Sequence, residues 1–195
     1  MMRALLIVVV FAAGCGSSPA TRFYTLTPAP PSAPAPASSD LSVLVSPVSV
    51  PLAVDRPQMV VAVSANQVTL DEFNRWASPL ANNIARVVAE NLAAMLGTSR
   101  VAVSSQALMS GVDYRAAIEV QRFELALGEA VTLDAVWAVS RNADGHARTG
   151  RTTARETVPD KTHDALAAGH SRALARLSHD IAEAVRALDA GRGKP

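Results

Sequence analysis

Two periods of hydrophobicity run along this chain, and the switches between them mark out its elements. Alternation at period two, the mark of a half-buried strand, is clearest from Asp113 to Leu127 (DYRAAIEVQRFELAL). There Ala116, Ile118 and Val120 share one face, and Phe123 and Leu125 resume it after Gln121 and Arg122. Gly128-Glu129 makes a turn, and Ala130 to Ser140 returns with Val131, Leu133, Ala135, Trp137 and Val139 on one side. Asp144-Gly145 is a hairpin signal, since both residues tolerate the positive φ of a tight turn. His146 to Val158 then reads as a polar, Thr- and Arg-rich strand with one side in solvent, closing an antiparallel meander. Earlier strands are predicted at Phe23–Leu26, Ser42–Val50, Gln58–Ser64, Gln67–Leu70 and Arg100–Ser104, with Ala65-Asn66 turning the third into the fourth. Pro47 and Pro51 suggest that the second is an edge or interrupted strand, because proline has no N–H for a ladder.

The period changes to that of a helix in two places. Ser78-Pro79 reads as an N-cap followed by proline at the first helical position. Leu80, Ile84, Val87, Val88, Asn91, Leu92 and Met95 then recur at helical spacing, and Gly97 supplies the stop. The second helix is predicted from Asp164 to Leu188, with Leu174, Leu177, Ile181, Val185 and Leu188 in a narrow apolar stripe. The expected class is α+β, a mostly antiparallel sheet with two main helices packed on it.

The first residues follow neither period. Arg3, the apolar run Ala4–Phe11 and the small residues Ala12-Ala13-Gly14 have the form of a secretory signal peptide, residues 1–14. The run is far short of the ~20 residues that span a bilayer. It leads straight into Cys15, the chain's one cysteine, which cannot form an internal disulfide. Cysteine after Ala-Ala-Gly resembles a bacterial lipobox, in which the thiol is diacylated and the new amino terminus acylated. No Asp follows Cys15, which favours the outer over the inner membrane. Residues 15–40 are expected to form a lipidated tether with a short strand and a Pro/Ala-rich spacer, residues 41–190 one globular domain and residues 191–195 a tail.

Composition narrows the function further. Lys+Arg 18 against Asp+Glu 17 leaves a net charge of +1, with no basic excess for nucleic acid. Aromatics are scarce, so Phe23, Tyr24, Phe73, Trp76, Tyr114, Phe123 and Trp137 are expected mainly in the core. No Gly-rich phosphate loop, nucleophile elbow or His-Glu-x-x-His is present. His163, His170 and His179 do not share one helix face, so they read as solvated histidines, with no metal or cofactor expected. Asp71 and Glu72 have the chemistry of an acid/base pair but read as strand-end or capping carboxylates. Arg148, Arg151 and Arg155, with Arg141, form a cationic strip that either protects a sheet edge by charge or meets a partner.

Several segments carry a family resemblance. They are Phe23-Tyr24-Thr25-Leu26 after the cysteine, Val50 to Val60 (VPLAVDRPQMV), and Glu72 to Leu80 (EFNRWASPL) running into Ile84, Arg86 and Ala89-Glu90-Asn91-Leu92. Together they resemble the PqiC family, the ABC-type transport auxiliary lipoproteins, over nearly the whole mature chain. Its most specific parts here are Asp55-Arg56-Pro57-Gln58 and Arg75-Trp76-Ala77-Ser78-Pro79-Leu80. Relatives more often carry Tyr before the first of these and Glu at the position of Ser78.

The resemblance implies a fold similar to the N-terminal domain of TolB and a homo-oligomer. It implies a lipid-anchored protein on the periplasmic face of the outer membrane of a Gram-negative bacterium. Its partners would be an MCE-domain periplasmic protein with an inner-membrane permease or PqiA-like protein, and it would dock or receive the MCE tunnel that moves lipid between membranes. No catalysis is implied. The residues that carry the resemblance, Tyr24, Asp55, Arg56, Pro57, Arg75, Trp76 and Pro79, are the candidate interface, with Cys15 the lipidation site. Trp76 is either a core anchor or a subunit contact; Arg56 either fixes a turn through backbone carbonyls or meets a partner. The competing assignment is a structural or assembly lipoprotein of another outer-membrane complex, without lipid handling.

Overall fold

The computed structural model describes residues 19–30, 40–103 and 111–191. The signal peptide, Cys15, residues 31–39 of the Pro/Ala-rich spacer and the last four residues lie outside them. The elements in chain order are β1 (Arg22–Tyr24), β2 (Val43–Ser49), β3 (Gln58–Ser64), β4 (Gln67–Trp76), α1 (Leu80–Leu96), β5 (Val101–Val103), β6 (Tyr114–Ala126), β7 (Ala130–Arg141), β8 (Ala147–Thr157) and α2 (His163–Ala190).

The strands form one eight-stranded sheet built around β6. Along one edge β6 pairs antiparallel with β7 for its whole length, and β7 pairs with β8 in the same sense. The other edge divides. Its first half pairs parallel with β2, which carries β5 beyond it. Its far end meets β3 at Leu125, opposite Val61, and beyond β3 come β4 and β1. The class is the expected α+β, and the longest ladders are antiparallel, but the pairings of β1, β2 and β5 make the sheet mixed. Alternation within a strand does not reveal this, because a strand packed on one face reads the same whichever way its neighbour runs.

One face of the sheet packs on both helices. The predicted stripes meet there: Ile118, Val120, Phe123 and Leu125 of β6, Val131, Leu133, Ala135, Trp137 and Val139 of β7, and Leu174, Leu177, Ile181 and Val185 of α2 are all buried in one core. The break in the β6 pattern at Gln121 is a bulge. Val120 faces Ala135 while Arg122 faces Asp134, so one extra residue restores the phase of Phe123. Gly150 serves the same core. It lies opposite Trp137, and a Cβ there would stand 2.2 Å from the indole. Within α2, Gly169 lets the helix backbone approach the sheet, where a Cβ would come within 2.8 Å of Val158.

Some expectations need correction. Of the two expectations for β2, it is interrupted and not an edge: Val43–Val45 is flanked by β5 and β6. Pro47 is tolerated because it falls where the β2–β6 register slips, past the end of β5. Ser78 does not cap α1; Pro79 occupies the cap position, without a side-chain hydrogen bond. Gly97 does end the helix, in the left-handed conformation (φ 67°), donating its N–H to the Ala93 carbonyl. β4 continues six residues past Leu70, to Trp76. The histidines are not uniformly solvated. His170 is fully buried and stacked on Phe123 at 3.6 Å, and burial pushes its pKa down to about 3.

The segment after β1 lies across the two helices. Leu26 is fully buried, and Arg86 of α1 donates to its carbonyl at 2.6 Å. The Thr27 N–H donates to Ser171 Oγ (3.0 Å) and the Ala29 N–H to Asn91 Oδ1 (2.9 Å), while Asn91 Nδ2 donates to Ser178 (3.1 Å). This polar seam gives the buried helix residues Asn91, Ser171 and Ser178 their hydrogen-bond partners.

Candidate functional site

The two sequence segments that carry the family resemblance are some twenty residues apart in the chain and adjacent in space. The loop before β3 is a compact turn in which the Pro51 carbonyl accepts from the N–H groups of Val54 (3.0 Å) and Asp55 (3.1 Å). Its exit is tied to the end of β4, where the Trp76 N–H donates to the Pro57 carbonyl at 2.7 Å. Ala77 in turn donates to the Tyr24 carbonyl of β1 at 2.8 Å, and the Pro79 carbonyl accepts the Asn83 N–H at the start of α1. Between the two loops lies a cleft of about 370 Å³, lined by Asp55, Arg56, Pro57, Trp76, Ala77, Ser78 and Pro79.

The side chains around it divide into fixed and free. Trp76 is only 4% exposed and meets Phe123 edge-on, with ring centroids 6.0 Å apart, so it anchors the cleft to the core. Arg75 is engaged by Glu72, donating from Nε to its carbonyl (2.9 Å) and pairing with its carboxylate (3.2 Å). Tyr24 donates from its hydroxyl to Asn74 Oδ1 at 2.8 Å, and its ring lies 5.9 Å from His163. Arg56 and Asp55 are exposed, and neither side chain has a hydrogen-bond or ion-pair partner among the described residues. The expectation that Arg56 fixes its turn through backbone carbonyls is therefore corrected: the turn is closed by main-chain hydrogen bonds, and the guanidinium is exposed to solvent.

Asp71 and Glu72 serve the local fold. Asp71 accepts from the N–H groups of Phe73 and Asn74, each at 3.0 Å, and its carboxylate lies 3.0 Å from His163 Nε2 without a well-directed hydrogen bond. Burial acts to raise its pKa, but the Asn74 amide, the Phe73 N–H and the His163 charge outweigh it and hold the carboxyl below its usual range. Among the described residues no group of three or more His, Cys, Asp or Glu is placed to hold a metal ion.

The proposed cationic strip does not form as a unit. Regular pairing along β8 puts Arg148 on the opposite pleat from Arg151 and Arg155. Arg151 is neutralised by Asp134, with Nε to Oδ1 at 2.8 Å. Arg141 is buried, chelated by Asp144 and donating to the Leu188 carbonyl at 2.7 Å, where it ties the β7–β8 hairpin to α2. β8 is nevertheless a free edge among the described residues, with Arg155 exposed along it.

Phe23 and Phe73, expected with the core aromatics, do not join them. They are 65% and 41% exposed, together with Val68 and Leu70 on the same limb of the sheet. Ending β4 at Leu70 hid this, since only the full strand places Phe73 beside β1.

The family model for the ABC-type transport auxiliary lipoprotein component matches residues 24–182. The chain belongs to this family. Its lipoprotein character places it at a membrane of the cell envelope, in a role auxiliary to ABC-type transport. Two crystal structures share its fold. An uncharacterized protein superposes with a TM-score of 0.70 at 20% identity, covering 86% of this chain and 99% of its own. Protein XCC0632 from Xanthomonas campestris, of the DUF330 family, gives 0.68 at 19%, covering 88% and 99%. The PelC dodecamer from Paraburkholderia phytofirmans is more distant, at a TM-score of 0.45 and 14% identity over 75% of this chain and 91% of its own. No curated protein matches the chain.

Proposed function

We propose that this lipoprotein is the outer-membrane subunit of an MCE-type lipid transport system. It is anchored through Cys15 and docks or receives the end of a periplasm-spanning MCE tunnel, without catalysing a reaction. Membership of a transport-auxiliary lipoprotein family supports the coarse role. The observation that carries the finer one is the cleft. Two segments some twenty residues apart meet there around an apolar wall, and the charges at its rim, Asp55 and Arg56, have no internal partner among the described residues. Such a cleft suits the reversible capture of a protein segment: apolar surface supplies affinity and unpaired charges supply register. The free β8 edge supports assembly of several copies by strand addition. Asp71 is engaged by the N–H groups of Phe73 and Asn74, which favours a binding role over acid/base chemistry.

The test is affinity purification of the full-length lipidated protein from cross-linked membranes, with mass spectrometry of what is recovered. An MCE-domain protein enriched over a Cys15→Ala control, and lost on Arg56→Glu, is the expected result. Recovery of other outer-membrane proteins alone would replace this role with that of a structural or assembly lipoprotein that handles no lipid.

A further inference from the structure

The limb formed by β3, β4 and β1 has an apolar outer face. Phe23 stands opposite Arg75 in the parallel β1–β4 pair, and Arg75 lies opposite Gln58 of β3, while Phe73 sits just before Asn74 in the stretch where the β3–β4 register slips. In the β3–β4 ladder Leu70 lies opposite Val60 and Val68 opposite Ala62, sharing one side towards the hairpin tip. The helices cover the other side, where Met59 and Trp76 enter the core. The result is Phe23 65%, Val68 60%, Leu70 41% and Phe73 41% exposed, with Val63 at 59% beside the tip. Single exposed apolar residues need no explanation, but a row of them along one sheet face marks something that covers it.

The length of chain before β1 identifies what does. From Cys15 to Arg22 the chain advances seven residues, at most about 25 Å even fully extended. If acyl chains are attached at Cys15, β1 is held close to the bilayer, and β1 is the strand that contributes Phe23. We propose that the face bearing Phe23, Val68, Leu70 and Phe73 rests in the interfacial layer of the membrane that holds the Cys15 acyl chains. The inference depends on the anchor reading above and adds to it an orientation: this limb lies on the membrane, with the two helices on the side away from it. The charges on this face, Arg75 and Glu72, pair with each other at 3.2 Å, so the contact is carried by apolar side chains and does not require anionic lipid.

Because the single native cysteine is consumed by acylation, new cysteines can be labelled selectively. The full-length lipidated protein carrying Val68→Cys or Phe73→Cys, and Arg155→Cys on the β8 edge as reference, is labelled with an environment-sensitive fluorophore. Each is reconstituted into vesicles of phosphatidylethanolamine and phosphatidylglycerol, with and without a lipid bearing a quencher near its headgroup. Blue-shifted emission at 68 and 73, quenched by that lipid and unchanged by salt, with water-like emission at 155, is the expected result. Water-like emission at all three positions while the protein still floats with the vesicles would overturn the proposal. So would a blue shift at 68 and 73 that ignores the quencher lipid and rises with protein density, because a second copy would then cover the face. Intact mass reports the anchor separately: a chain without added acyl mass removes the anchor and the orientation together.

Discussion

Replacing Gly150 with alanine tests how the sheet is closed over its core. A methyl group would ordinarily help a strand, since glycine costs roughly 0.5–1 kcal/mol relative to alanine inside an element. Here the new Cβ would stand 2.2 Å from Trp137 Cζ2 and 2.6 Å from Cη2, so the indole must move. The ring is buried, and its Nε1–H donates to Thr152 Oγ1 at 3.1 Å, while that hydroxyl donates onward to Asp180 of α2. Overpacking costs about 1–3 kcal/mol, and a buried donor left unsatisfied about 1–3 more. Set against the backbone gain, the net loss is about 1–5 kcal/mol. In a domain of this size each kcal/mol lowers Tm by about 2–4 °C, and the urea midpoint falls with an unchanged slope. Near-UV circular dichroism should report the displaced indole. Trp137→Leu in the same chain frees the space, so the double variant should lose less than the sum of the two single changes. Stability equal to or above the parent, with an unchanged near-UV signal, would refute the argument.

Gly169→Ala should destabilise by about 1 kcal/mol despite better helix propensity, because its Cβ would crowd Val158 and Val131; urea melts of this variant with and without Val158→Ala check that cause. His170 stays neutral in the fold down to about pH 3 but takes up a proton in the unfolded chain below its ordinary 6.5. The unfolded state then binds more protons, so stability is full above pH 6.5 and falls as pH drops towards 3, at up to about 1.4 kcal/mol per pH unit. Chemical denaturation between pH 7 and 5, above the range where the carboxylates titrate, should show this slope, and His170→Phe should flatten it. Arg56→Glu should leave Tm within about 1 °C, since the side chain has no partner among the described residues, yet abolish recovery of the MCE protein from cross-linked membranes; a large Tm loss would show an internal role instead.

The sequence was most legible where local chemistry acts alone. The β6–β7–β8 meander needed only alternation and an Asp-Gly turn, while the bulge behind the interruption at Gln121 came from the structure. Both helices followed from their apolar spacing, and Gly97 from the left-handed conformation it alone adopts cheaply. The motif segments around Arg56 and Trp76 identified the family, though not the contact between them. Tertiary structure decided what depends on neighbours distant in the chain. The parallel placement of β2 between β5 and β6 is one case, because strand pattern carries no record of direction. The exposure of Phe23 and Phe73 is another, since hydrophobicity alone cannot say which side of a sheet the helices will cover. The freedom of Arg56 is a third. A guanidinium reads the same in sequence whether or not an acceptor lies within reach, and only the folded loop, closed by its own backbone, leaves it without one among the described residues. Periodicity and turn chemistry are local and are written into the residues; partner, face and direction are relations between segments, fixed when the core forms.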